Sequence, residues 1–129
     1  MEQKNNVVGW FEIPVMNMER AIRFYEDVFY FKLNRQQIGP LEMAWFPWVG
    51  TGLGATGSLV FNKDFYKPSR EGVLVYFTAH SGDVAIEAGR VKAAGGEVLV
   101  PKKLIRNDIG YMAVILDSEG NRIALHSMG

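Results

Sequence analysis

Apolar side chains recur along this 129-residue chain in two rhythms, and the rhythms come in the same order in both halves. Residues 7–15 (VVGWFEIPV) are a β-branched and aromatic run that predicts a strand. Met18, Ala21, Phe24, Tyr25 and Val28 then fall at helical spacing, with Glu19, Arg20, Arg23, Glu26 and Asp27 on the opposite side. Asn17 stands where an N-cap is wanted, and Glu19 places an acid in the first turn, where the helix dipole favours one. Residues 31–38 and 42–48 predict two strands around Gly39-Pro40. Residues 49–57 hold four glycines and predict a loop. A short strand over 58–62 (SLVFN) closes the first half, and the polar residues 63–72, with Pro68, connect to the second.

The second half repeats the order. Residues 73–78 (VLVYFT) predict a buried strand, and residues 83–94 a helix with Val84, Ala88 and Val91 on one face. Gly95-Gly96 ends that helix in the usual way. Strands follow over 97–103 and 111–116, then a turn at Asp117-Ser118-Glu119-Gly120, then a last strand over 121–126. One constant shift lays Trp10 over Leu74 and Val60 over Ala124, so the chain reads as a duplicated βαβββ unit. The expected fold class is α+β: two tandem βαβββ modules forming a cupped mixed β-sheet, with the helices on its outer face. Residues 1–129 are expected to be a single domain, with one module over about 7–62, a linker over 63–72 and a second module over about 73–127. Neither half alone covers its own sheet.

Composition narrows the chemistry. Hydrophobic residues make up 48% and charged residues 22%, values of an ordinary globular chain. Fourteen Lys and Arg balance fourteen Asp and Glu, which argues against nucleic acid as a partner. Cysteine is absent, which excludes disulfides, thiolate nucleophiles and Cys-based metal sites. Only His80 and His126 are left to supply imidazole. No apolar run approaches the roughly 18–20 residues that span a bilayer, and no apolar signal segment follows the polar first residues, so no membrane partner and a cytoplasmic location are expected. The glycine-rich 52–57 stretch superficially matches a dinucleotide fingerprint, but a strand follows it where a helix would be needed. Lys102, Lys103 and Arg106 read as solvated groups on an edge strand.

Two segments resemble a known family. Residues 18–28 (MERAIRFYEDV) look like the first-module helix of the vicinal oxygen chelate superfamily, which includes glyoxalase I, bleomycin-resistance proteins and extradiol dioxygenases. Residues 94–98 (AGGEV), Gly110-Tyr111 and residues 117–125 (DSEGNRIAL) look like its second-module ending. Tyr30 departs from the pattern, standing where the family helix usually runs into glycine. The resemblance implies a hollow that holds a divalent metal on ligands from the first and last strand of each module. Counting back from Asn17 puts one position at Trp10, the DSEGNRIAL ending puts another at Ala124, and the repeat shift supplies Val60 and Leu74; all four are apolar. No metal and no other cofactor is therefore expected, since such ions need imidazole or oxygen ligands.

Strand alternation places Glu12, Ser58, Asn62, Tyr76, Thr78, Arg122 and His126 on the same face as those four positions. Phe11, Ile13, Val15, Val73, Val75, Phe77, Ile123 and Leu125 take the opposite face and are expected to pack under the helices. The ligand-binding set is thus Trp10, Glu12, Trp45, Trp48, Val60, Leu74, Tyr76, Arg122 and Ala124. Glu12 beside aromatic rings is a candidate general base and His126 a candidate partner acid; equally, Glu12 is open to an ion pair with Arg122 that merely closes the hollow. The expected function is binding of a small aromatic or planar ligand in an aromatic hollow. The alternative is a metal-independent lyase or isomerase related to glyoxalase I, with Glu12 as base. A small-molecule ligand is the expected partner, and the resembled family implies a homodimer.

Overall fold

In the computed structural model, which describes residues 2–129, the expected order of elements is found twice. The first module comprises β1 (Phe11–Pro14), α1 (Met18–Phe29), β2 (Asn34–Ile38), β3 (Leu41–Trp45) and β4 (Gly57–Phe61). The second comprises β5 (Val75–Thr78), α2 (Val84–Val91), β6 (Glu97–Arg106), β7 (Gly110–Leu116) and β8 (Arg122–Ser127). Each module makes its own four-stranded mixed sheet, ordered β1-β4-β3-β2 and β5-β8-β7-β6, with β1 parallel to β4 and β5 parallel to β8. The cup is thus built from two sheets. The free edges β1 and β5 are not hydrogen-bonded to each other.

Where strands begin follows from where partners are available. Residues 7–10 are exposed and outside β1, because pairing starts at Phe11 opposite Gly57, and the loop before Gly57 offers no strand. Pairing is close there: a Cβ on Gly57 would lie 2.2 Å from the Phe11 carbonyl oxygen, which only glycine tolerates. Residues 73–74 likewise precede β5, whose first partner is Ile123. Val73 is consequently 89% exposed, a correction to its expected place under the helices. In the opposite direction β6 runs on to Arg106, because its hairpin with β7 continues to Gly110.

Asn17 caps α1 as expected, its side-chain oxygen accepting the Arg20 N–H at 3.0 Å. At the other end Tyr30 takes the left-handed conformation (φ 59°, ψ 42°) that glycine would adopt without strain, and donates its N–H to the Glu26 carbonyl. The Arg90 guanidinium lies 3.6 Å from the centre of the Tyr30 ring, and its Nη1 donates to the Val28 carbonyl. A tyrosine here ties α1 to α2, which a glycine could not do.

The apolar faces of helices and sheets meet in one aromatic cluster. Phe77, from the second module, lies among Phe11, Tyr25, Phe29 and Phe46 of the first, with ring centres 4.9–5.7 Å apart. Beside this cluster the turn after β7 reaches across to the first module. The Asp117 carboxylate accepts the Tyr25 hydroxyl at 2.7 Å, and Glu119 accepts the Met16 and Asn17 N–H groups and the Arg20 guanidinium. Asn121 donates to the Pro14 carbonyl at 2.7 Å and accepts the Ser69 N–H. These bonds satisfy the start of α1 and the end of β1 from the other module. Among the described residues no helix is long and apolar enough to cross a membrane.

Candidate functional site

The seam between the β1 and β5 edges is hollow. At one end a cavity of about 270 Å³ is walled by Phe11, Phe31, Phe46, Trp48, Tyr76 and Phe77, with Thr56, Thr78 and His80 as its polar groups. Residues 47–49 and 52–56 roof it. That roof is pinned where Thr56 donates to the Phe46 and Pro47 carbonyls, while Trp48, Val49 and Leu53 stay largely exposed. A second cavity, of about 610 Å³, shares Phe11, Tyr76, Gly54 and Ala55 with the first and adds Trp10 and Leu74. A third, of about 280 Å³, shares Phe11, Val73 and Val75 with the second and ends on Glu12, Lys67 and Arg122. Each shares lining residues with its neighbour, and Phe11 is common to all three. A mostly apolar cleft with a few converging polar groups is the usual form of a small-molecule site.

The sheet register decides which of the expected residues meet. Glu12, Ser58 and Trp45 share one row, and Trp10 packs edge-on against Trp45 with ring centres 5.9 Å apart. Pro14, Val60 and Met43 form the next row. In the second sheet Tyr76 sits beside Ala124, and Thr78 beside His126. Val60 and Ala124 are fully buried within their sheets and line none of the three cavities. Trp10, Glu12, Trp48, Leu74, Tyr76 and Arg122 line one or more of them.

Glu12 is held by two neutral donors and does not pair with Arg122. The Tyr66 hydroxyl donates to it at 2.7 Å and the Trp10 indole N–H at 3.3 Å. The carboxylate in turn raises the Tyr66 phenol above its ordinary range, because ionising the phenol would lose that hydrogen bond and add a like charge. Tyr66 lies in the connection between modules, where no periodic pattern marks it; sequence reasoning missed it. His126 belongs to the other sheet, its ring nitrogen 2.6 Å from the Ile109 carbonyl, and no hydrogen bond joins it to Glu12. Phe31 and Phe46 are further wall residues that the sequence did not single out, and His80 was not placed in the hollow. Phe11 and Phe77, expected only under the helices, line the cavity as well, a correction to the two-face reading.

The four positions matched to the family's metal ligands carry only indole and aliphatic side chains, and their rows do not coincide. Among the described residues no group of three or more His, Cys, Asp or Glu comes together. The residues present do not fit a divalent ion at this place.

Residues 7–125 match the Glyoxalase/Bleomycin resistance protein/Dioxygenase superfamily. The chain belongs to that superfamily. Solved structures of the same fold include glyoxalase I from Zea mays, with a TM-score of 0.67 and 19% identity over 92% of this chain. That enzyme is longer: the chain spans 45% of it. TnmS3, an antibiotic binding protein from Streptomyces sp. CB03234, matches end to end, with a TM-score of 0.65 and 24% identity over 98% of both chains. A glyoxalase-related enzyme from Fulvimarina pelagi gives a TM-score of 0.67 at 15% identity, covering 93% of this chain and 86% of the other. No curated protein matches the chain by sequence. Binders and enzymes therefore share this fold, and the site must discriminate between them.

Proposed function

We propose that the chain is a single-domain binding protein for a small planar or aromatic molecule, which it takes into the seam cleft without a divalent metal. The observation that carries this reading is the ring-lined cavity of about 270 Å³ under the glycine-rich roof. Aromatic faces at that density favour a flat ligand, by offset stacking and burial of apolar area. The end-to-end likeness to an antibiotic binding protein supports the same reading. A thermal-shift screen of planar aromatic compounds, with the protein in excess chelator, tests it. Native-state binding raises the melting temperature, and chelator leaves the rise intact. A panel that produces no shift, or a shift abolished by chelator, contradicts the proposal.

The second reading, a lyase or isomerase with Glu12 as base and His126 as acid, has one observation in its favour: Glu12 lines the third cavity. Its two donors weigh against it, since a substrate proton would have to displace Tyr66 from Oε1. Glu12→Gln separates the readings. As a binder the variant keeps its affinity within a few-fold; as an enzyme it loses turnover altogether.

A further inference from the structure

Arg122 is a cation that the fold leaves without a counter-ion. It is half-buried at the start of β8, and its Nη2 donates to the Gly72 carbonyl at 3.1 Å. Its Nε is buried and makes no hydrogen bond. No carboxylate forms a salt bridge with it among the described residues. Buried guanidinium groups in folded proteins are normally paired, because an unpaired one keeps its desolvation penalty in full. The seam offers a reason for the exception. Arg122 lines the third cavity together with Lys67, whose ammonium donates only to the Lys63 carbonyl at 3.0 Å. The one carboxylate in that cavity, Glu12, is already held by Tyr66 and Trp10.

Resting on the binding reading above, we infer that the Arg122–Lys67 end of the cleft is an anion subsite, and that the ligand is a planar aromatic carboxylate. Two cations against one carboxylate leave a single positive charge to balance, which a carboxylate supplies; a phosphate dianion would add a repelled charge beside Glu12. The remaining walls, Phe11, Ile13, Val73, Val75 and Ile123, suit a ring attached directly to the acid. Nη1 makes no hydrogen bond among the described residues and Nη2 keeps a second N–H beyond its bond to Gly72, so the fork offers two donors to a carboxylate. The ring would lie against Phe11, which the third cavity shares with the ring-lined one, with the charge at Arg122.

Calorimetric titration of the whole chain with naphthoate, its neutral isostere naphthamide and inorganic phosphate tests this. Naphthoate should bind about ten-fold or more tightly than naphthamide, the worth of one charge-assisted hydrogen-bonded contact. Arg122→Gln should remove that preference, and Arg122→Lys should restore part of it. Equal affinity of acid and amide for the unmodified chain overturns the inference without needing any variant to fold, and leaves the binding reading standing. Phosphate binding as tightly as naphthoate also overturns it. Binding of neither naphthoate nor naphthamide overturns this inference, while the binding reading falls only if the whole planar panel gives no shift.

Discussion

Two regions join the modules, and they are built on opposite terms. At one, the turn of residues 117–121 places Asp117, Glu119 and Asn121 against the first module with their polar atoms paired. At the other, the β1–β5 seam, rings face a cavity, and Arg122 Nε is a buried side-chain polar atom left without a partner among the described residues. The first region looks made to hold the fold; the second keeps interactions in reserve. A satisfied network rigidifies, whereas unsatisfied groups beside a cavity mark a place where something else completes the bonding.

The contrast is broken if stability tracks the seam or binding tracks the turn. The largest stability loss is expected from Glu119→Ala. It strips acceptors from two backbone N–H groups and from Arg20, and should cost about 2–3 kcal/mol in urea unfolding. Burial pushes the Glu119 carboxyl up, but its hydrogen bonds from Arg20, Asn17 and Met16 outweigh that and hold it below its ordinary value. A depressed carboxyl stabilises the fold above its unfolded-state value and loses that contribution as pH falls through the folded one. The gap between the unmodified chain and Glu119→Gln should therefore close in acid.

Tyr25→Phe comes next, at about 1–2 kcal/mol near neutral pH, because it takes a donor from a buried carboxylate. Burial raises Asp117 above its ordinary value despite the hydrogen bonds from Tyr25 and Asn121 that oppose it. Asp117 thus carries the opposite sign from Glu119: it favours the fold in acid and gives that up as pH rises through its folded value. Since the Tyr25 bond supports the ionised form, the cost of Tyr25→Phe should shrink as pH falls, which unfolding curves across a pH series will show.

Tyr30→Gly should move stability by less than about 1 kcal/mol, as relief of the left-handed backbone offsets loss of the Arg90–ring contact. The smallest effect belongs to the seam. Arg122→Gln should leave the unfolding midpoint essentially unchanged or slightly raised, because it removes an unpaired buried donor. A loss there as large as that of Glu119→Ala would erase the distinction between the two regions.

The module order was legible because apolar periodicity follows local physics: Met18 to Val28 face one core whatever surrounds them. Parity was legible for the same reason, so Trp10, Glu12, Tyr76 and Arg122 were placed on one side of their chain segments. Register was not. Whether Tyr76 or Leu74 lies beside Ala124 depends on inter-strand pairing, which no single strand encodes. Tyr66 escaped because its role comes from a tertiary contact made by an aperiodic segment. The apolar residues at the matched metal positions were visible as residue types, but the seam that Trp10 and Leu74 line was not, since it arises from two sheet edges that do not pair.

The central claim is that ligand enters the ring-lined seam without a metal. All three tryptophans, Trp10, Trp45 and Trp48, lie along or beside it, so their indole N–H resonances report on it directly. The measurement is a titration of the ¹⁵N-labelled chain, in excess chelator, with whichever planar compound raises its melting temperature most. The Trp10 and Trp48 indole signals should shift together and saturate with the ligand. Indole signals that stay still while the protein is demonstrably saturated would place the ligand elsewhere and contradict it.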